Sequence, residues 1–241
     1  MSRKHTTHLV LMGIATVAIP VVLMMIFFYA PTLPESNSSD MNGVVQKIFY
    51  FHVGSAMNML IILLAAGIFS LMFLIRGDLK YDHWAGACAD TGTLLGMMVL
   101  CSGPLWAKKA WGTWWNFEPR LMLVLLVFLM YLGYAAMRRF GGTDMFTRKL
   151  AAGISVLGIP AIIFIRIAVN LWGRKLHPEN LNSDKSEFAS SAPEIQTVFY
   201  VSILTILVFS LAVVLLRKRI RQAEDSVESC WHAAQDADIV L

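Results

Sequence analysis

Six runs of about twenty apolar residues, near 9–30, 48–75, 84–106, 120–137, 150–171 and 197–216, dominate this 241-residue chain. Each is long enough to cross the roughly 30 Å hydrocarbon core of a bilayer as a helix. Composition agrees: 15% of residues are charged and 57% apolar, with a mean hydropathy of +0.61, against about 25% charged in a soluble domain. The pattern predicts an all-α integral membrane protein, a bundle of six transmembrane helices. Arg3 and Lys4 precede the first run as they would in a signal peptide. That run exceeds the ~7–15 apolar residues of a signal core, and no small-x-small cleavage site follows it. It reads as a retained span, so that residues 1–216 form the membrane domain and 217–241 a polar tail.

Basic residues orient the bundle. With the N-terminus in the cytoplasm, the inside segments carry twelve lysines and arginines, from Arg3 and Lys4 to Arg217, Lys218, Arg219 and Arg221. The outside segments carry seven: Lys47, Lys108, Lys109, Arg120, Arg174, Lys175 and Lys185. Positive charge stays inside, so both termini are expected in the cytoplasm. The net charge of +4 then belongs to the membrane face and its lipid, and no nucleic-acid partner is expected. Cys88, Cys101 and Cys230 show no paired spacing, which removes zinc and dithiol chemistry. No nucleotide-binding loop, no G-x-S-x-G and no internal repeat is present, so ATP energy would have to come from a partner chain.

The unusual residues gather on the outside. Between the third and fourth runs lies Trp111-Gly112-Thr113-Trp114-Trp115-Asn116-Phe117-Glu118-Pro119-Arg120, preceded by Lys108 and Lys109. Indole rings favour the membrane–water interface, where the ring is apolar and its N–H reaches a wet partner. This external tryptophan-rich loop suits a flat, largely apolar ligand. Of six histidines, only His52 and His177 fall on the same side. Neutral imidazole is an axial ligand for haem iron. Two histidines, flat rings to pack a macrocycle, and the cations Arg120 and Arg174 for its two carboxylates make one coherent haem site. An ordinary aromatic belt with polar anchors reads the same residues blandly. Arg166 and Asp90 lie within spans; an outward-snorkelling arginine and a locally hydrogen-bonded acid account for them without catalysis. Gly92, Gly96, Gly103 and Pro104 either break the third helix or allow close helix packing.

Trp111-Gly112-Thr113-Trp114-Trp115, followed by an acid and Arg120-Leu121, resembles the tryptophan-rich "WWD" signature of haem-handling proteins. The nearest resemblance is to the cytochrome c maturation protein C family, also called haem exporter protein C. Lys47-Ile48-Phe49-Tyr50-Phe51-His52-Val53 is similar to that family's element at the second span, and Trp172 with Leu176-His177 to its last external loop. The resemblance covers residues 9–216. It implies delivery of a transiently bound b-type haem to a periplasmic haem chaperone for c-type cytochrome assembly, in the bacterial inner membrane. ATP-binding cassette subunits of the same maturation system are the implied partners. His52 and His177 take the iron-ligand role, and Trp111, Gly112, Thr113, Trp114 and Trp115 the platform, with Gly112 turning the backbone. Phe117 and Glu118 stand where the family has Trp-Asp, and Pro119 is more typical of the synthetase-type branch. Such a chain is a haem-transfer factor more than a classical enzyme. Two other readings use the same residues: a haem-b electron-transfer subunit, which buries its histidines on facing spans, and a haem-free small-molecule transporter, which needs broken helices near the midplane.

Overall fold

A computed structural model describes residues 3–32, 43, 45–172 and 191–236. Six helices hold these residues: α1 (Arg3–Met24), which ends in a π-helical turn over Met25–Tyr29, α2 (Val45–Arg76), α3 (Leu79–Trp111), α4 (Pro119–Phe140), α5 (Met145–Trp172) and α6 (Pro193–Asp236). Every one is long and apolar enough to cross a membrane, and no strand occurs among the described residues. Leu9, Ile14, Ile61, Leu157 and Leu204 lie exposed on the outside of the bundle, as side chains facing lipid should. The chain is a multi-pass membrane protein of helices.

Local chemistry sets the helix ends. Gly77 adopts a left-handed φ of 69°, its N–H closing on the Phe73 carbonyl at 2.8 Å, and Asp78 caps α3 by accepting from Lys80 N at 2.9 Å. The Asp78 carboxyl is held below the usual carboxylate range by its hydrogen bonds to Lys80. Asp144 caps α5 in the same way, accepting from Phe146 N at 2.9 Å and Thr147 N at 3.0 Å, which also lowers its pKa. At the start of α6 the Ala192 carbonyl takes the first helical bonds, and Pro193 fills the first helical position where no N–H is needed.

α2 is the central element, packing on α3, α5 and α6, while α1 lies against α6 and α4 against α5. One apolar cluster joins α2, α3, α4 and α5 through Met59, Leu63, Leu95, Tyr131 and Ile165. A second ties the end of α1 to α2 and α6 through Ile26, Tyr50, Val198 and Phe199. Small residues bring the helices close: a Cβ at Gly92 would run into the Leu63 side chain. α3 stays continuous through Gly103 and Pro104, so close packing, not a break, is what these glycines provide. Lys47 is buried and donates to the carbonyls of Ile26 and Ala30, at 2.6 and 2.9 Å, closing the last turn of α1 onto the start of α2.

At the opposite end of the bundle from the tryptophan loop, charged pairs bind α6 to its neighbours. Asp90 of α3 accepts from Arg217 at 2.6 Å and from Arg221 at 2.9 Å, so its partners are across the bundle and not local. Asp82 accepts from Arg138 and Arg148. Arg148 reaches on to Asp225, which also meets His83 Nε2 at 2.7 Å. α6 therefore continues in one helix past residue 216, the end of its apolar run. Its 44 residues extend about 66 Å, twice the thickness of a bilayer core.

Candidate functional site

A cavity of ≈ 80 Å³, open to the outside, lies between α2, α3, α4 and α5 at the tryptophan-loop end. His52 projects into it from α2, Trp106 and Trp111 from the end of α3, Trp114 and Trp115 from the connection, and Arg120 from the start of α4. Met59, Leu60, Val124 and Ile165 supply the apolar floor. The site forms here because α3 stops at Trp111: Gly112 takes a left-handed φ of 76°, a conformation that favours glycine. The Lys108 ammonium donates to the Gly112 carbonyl at 3.0 Å and lies 5.9 Å from the centre of the Trp114 ring. Pro119 then opens α4 at its first turn, returning the chain to the membrane beside Arg120.

His52 sits seven residues into α2, about 10 Å from its start, held between α3 side chains. Its ring stacks on Trp106, with centroids 6.5 Å apart and planes 13° from parallel, and Trp106 in turn meets Trp111 edge to face at 5.0 Å. Nδ1 of His52 lies 3.0 Å from Ser102 Oγ. The serine hydroxyl spends its single proton on the Met98 carbonyl, 2.7 Å away, so at the imidazole it can only accept. That arrangement suits the tautomer with its proton on Nδ1, which leaves the Nε2 lone pair available to a metal. A metal-ligating histidine is oriented in this manner, one nitrogen donating within the protein and the other open to the metal. Gly103 makes the space: a Cβ there would approach His52 Cε1 to 3.1 Å.

The tryptophan loop divides between cavity and surface. Trp111, Trp114 and Trp115 line the cavity with His52 and Arg120; Gly112, Thr113, Phe117 and Glu118 do not. Trp114 is 57% exposed and Phe117 79% exposed, so one indole spans the cavity and its rim while Phe117 lies on the surface outside the lining. Arg120 has a second arginine near it, Arg166 of α5, and the acid Glu118. Ser102, Gly103 and Trp106 complete the site without being read as part of it from sequence. Their signal was a Ser-Gly-Pro interruption with a tryptophan at helical spacing, just before the loop. His177 and Arg174 lie outside the described residues. Cys88, Cys101 and Cys230 are free thiols, and among the described residues no three His, Cys, Asp or Glu side chains gather as a metal-ion site.

Comparison with known proteins points one way. The family model described as "Heme exporter protein C" matches residues 1–233. Heme exporter protein C of Paracoccus denitrificans is 33% identical over 135 residues, 56% of each chain. That of Rhodobacter capsulatus is 32% identical over 165 residues, 67% of this chain and 64% of the relative. A cytochrome c biogenesis protein CcsA of Prochlorococcus marinus is 36% identical over 98 residues, covering 41% of this chain and 30% of the relative. The matched stretch thus spans less than two thirds of the length of these curated relatives.

Proposed function

The chain belongs to the heme exporter protein C family, and on that premise we propose that it binds haem in the His52 cavity and hands it on for c-type cytochrome biogenesis. The observation that carries the reading is the His52 imidazole, which lies against Ser102 through Nδ1 and lines a cavity walled by Trp106, Trp111, Trp114 and Trp115. Haem as cargo supplies an iron that accepts such a nitrogen, two flat apolar faces and two carboxylates. The lining answers each: one imidazole, indole walls, and Arg120 with Arg166 nearby as cations. His177 and Arg174, from the last external loop, are proposed as the second iron ligand and a second carboxylate partner.

The cavity is also built to let a ligand go. It opens at the loop end, and Trp114 lies part in the lining and part on the surface. A haem held here keeps one edge within reach of an acceptor, whereas an electron-transfer haem is held deep between histidines on facing spans. The cavity is lined by one histidine among the described residues, which favours the donor reading. Phe117 and Glu118 are assigned to the rim that an acceptor would meet. The acceptor is proposed to be a periplasmic haem chaperone, with ATP-binding cassette subunits of the maturation system as partners and the inner membrane as location. The haem is proposed to be b-type and only transiently bound, with both termini of the chain in the cytoplasm.

Transfer is tested by mixing the haem-loaded protein with the apo-chaperone and following the absorbance of each after separation. Trp114→Ala is expected to retain haem yet pass it about tenfold more slowly, a loss of roughly 1.4 kcal/mol in the transfer step. Transfer at the wild-type rate would remove Trp114 from the delivery path.

A further inference from the structure

Beyond the membrane, α6 continues as a two-faced helix, and only one of its faces is used. Arg221 pairs with Asp90, Asp225 with Arg148 and His83, and Glu228 accepts from Thr143 Oγ1 at 2.6 Å. Arg221 and Asp225, four residues apart, face the bundle, while Glu228 stands at the edge of that side, one oxygen on Thr143 and its side chain 37% exposed. Ile220, Ala223, Val227 and Trp231 recur at three- and four-residue spacings on the other side. Val227 is 69% and Trp231 52% exposed, and with Glu224 and Glu228 they line a shallow apolar groove.

Charge says what fits the groove. After Arg221 the chain carries Glu224, Asp225, Glu228, Asp236 and Asp238 and no lysine or arginine. Anionic lipid headgroups repel such a surface. Trp231 also stands about 22 Å along the helix from Leu216, the end of the apolar run, too far to rest in the bilayer interface. A second copy would bring the same acidic edge against itself. We propose that this face of α6 is a docking surface for a cationic amphipathic helix of a partner protein, its apolar side in the groove and its lysines or arginines against Glu224 and Glu228. Apolar anchors ringed by complementary charge are how helix-in-groove contacts gain affinity and specificity. The proposal is independent of haem, since no residue of the His52 cavity takes part.

The test uses the full chain in neutral phosphatidylcholine nanodiscs. Cys101→Ser leaves Cys230 as the exposed thiol, Cys88 being buried, and Cys230 carries an environment-sensitive fluorophore. The probe is a synthetic lysine–leucine amphipathic helix, with a glutamate–leucine helix of the same apolar face as control. A saturable blue shift with the lysine helix is expected, weakened by salt and about tenfold weaker after Val227→Asp or Glu224→Lys, as for loss of one interface anchor. Both substituted side chains are exposed, so the fold is retained. An equal response to the glutamate helix would overturn the proposal, as would one indifferent to both substitutions, which would mean the peptide simply enters lipid. A shift on raising protein concentration alone, or on adding anionic vesicles, would overturn it in favour of a second copy or a lipid surface.

Discussion

His52 owes its chemistry to two small neighbours, Ser102 and Gly103. The serine hydroxyl meets Nδ1 at 3.0 Å, and the absent side chain at Gly103 leaves the ring its place. Ser102→Ala removes the acceptor without adding bulk, and haem affinity is expected to fall about ten- to a hundredfold, as for lost partners of metal-ligating histidines. The absorption bands should keep their positions, because the ligand is unchanged. Titration of the apo-protein with haem measures the effect, and equal affinity would mean that Ser102 does not orient the ring. Gly103→Val acts sterically: it crowds His52 Cε1 and should abolish loading while the helix content by circular dichroism stays constant. His52 and the tryptophans were legible in the sequence because they cluster in short motifs. Ser102, Gly103 and Trp106 were not, because they meet His52 across fifty residues only after α2 and α3 pack.

Among elements, α6 departs most from what its composition suggests. The apolar run stops at 216 and a cluster of arginines follows, which reads as the end of a span. The helix nevertheless continues, because Arg217, Arg221 and Asp225 find partners on α3 and α5 that lie 77 to 142 residues away. No local pattern announces contacts of that range. The six helices themselves were legible, since twenty-residue apolar runs admit little else. α3 and α5 begin at Leu79 and Met145, ahead of the apolar runs near 84 and 150, because polar first turns dilute the apolar signal. Asp82 is 1% exposed between Arg138 and Arg148, and Asp82→Ala leaves the buried Arg138 guanidinium without its carboxylate and Arg148 with Asp225 alone. Losses of that kind cost about 3–5 kcal/mol. A thermal melt in detergent should therefore show a much lower midpoint than for Lys80→Ala, whose pair with Asp78 is exposed. Equal midpoints would contradict the role assigned to the buried network. Gly92→Leu, which drives a side chain into Leu63, should likewise lower the midpoint, by overpacking worth about 1–3 kcal/mol.

At the scale of the whole molecule, the bundle has two dissimilar ends: an aromatic cavity at one and an ion-paired, helix-bearing end at the other. The proposed orientation puts Cys230, exposed on the α6 extension, in the cytoplasm. A membrane-impermeant thiol reagent is then expected to label Cys230 in inverted vesicles and not in right-side-out ones; the reverse pattern would turn the molecule over. The central claim is that haem binds through His52 within the tryptophan-walled cavity. The most direct measurement is the oxidised and reduced absorption spectrum of the detergent-purified protein, expressed with ample haem, for wild type, His52→Ala and His177→Ala, before and after adding imidazole. A bis-histidine haem spectrum in wild type, weakened in each variant and restored by imidazole, is expected. Full haem with an unchanged spectrum in His52→Ala would contradict the account.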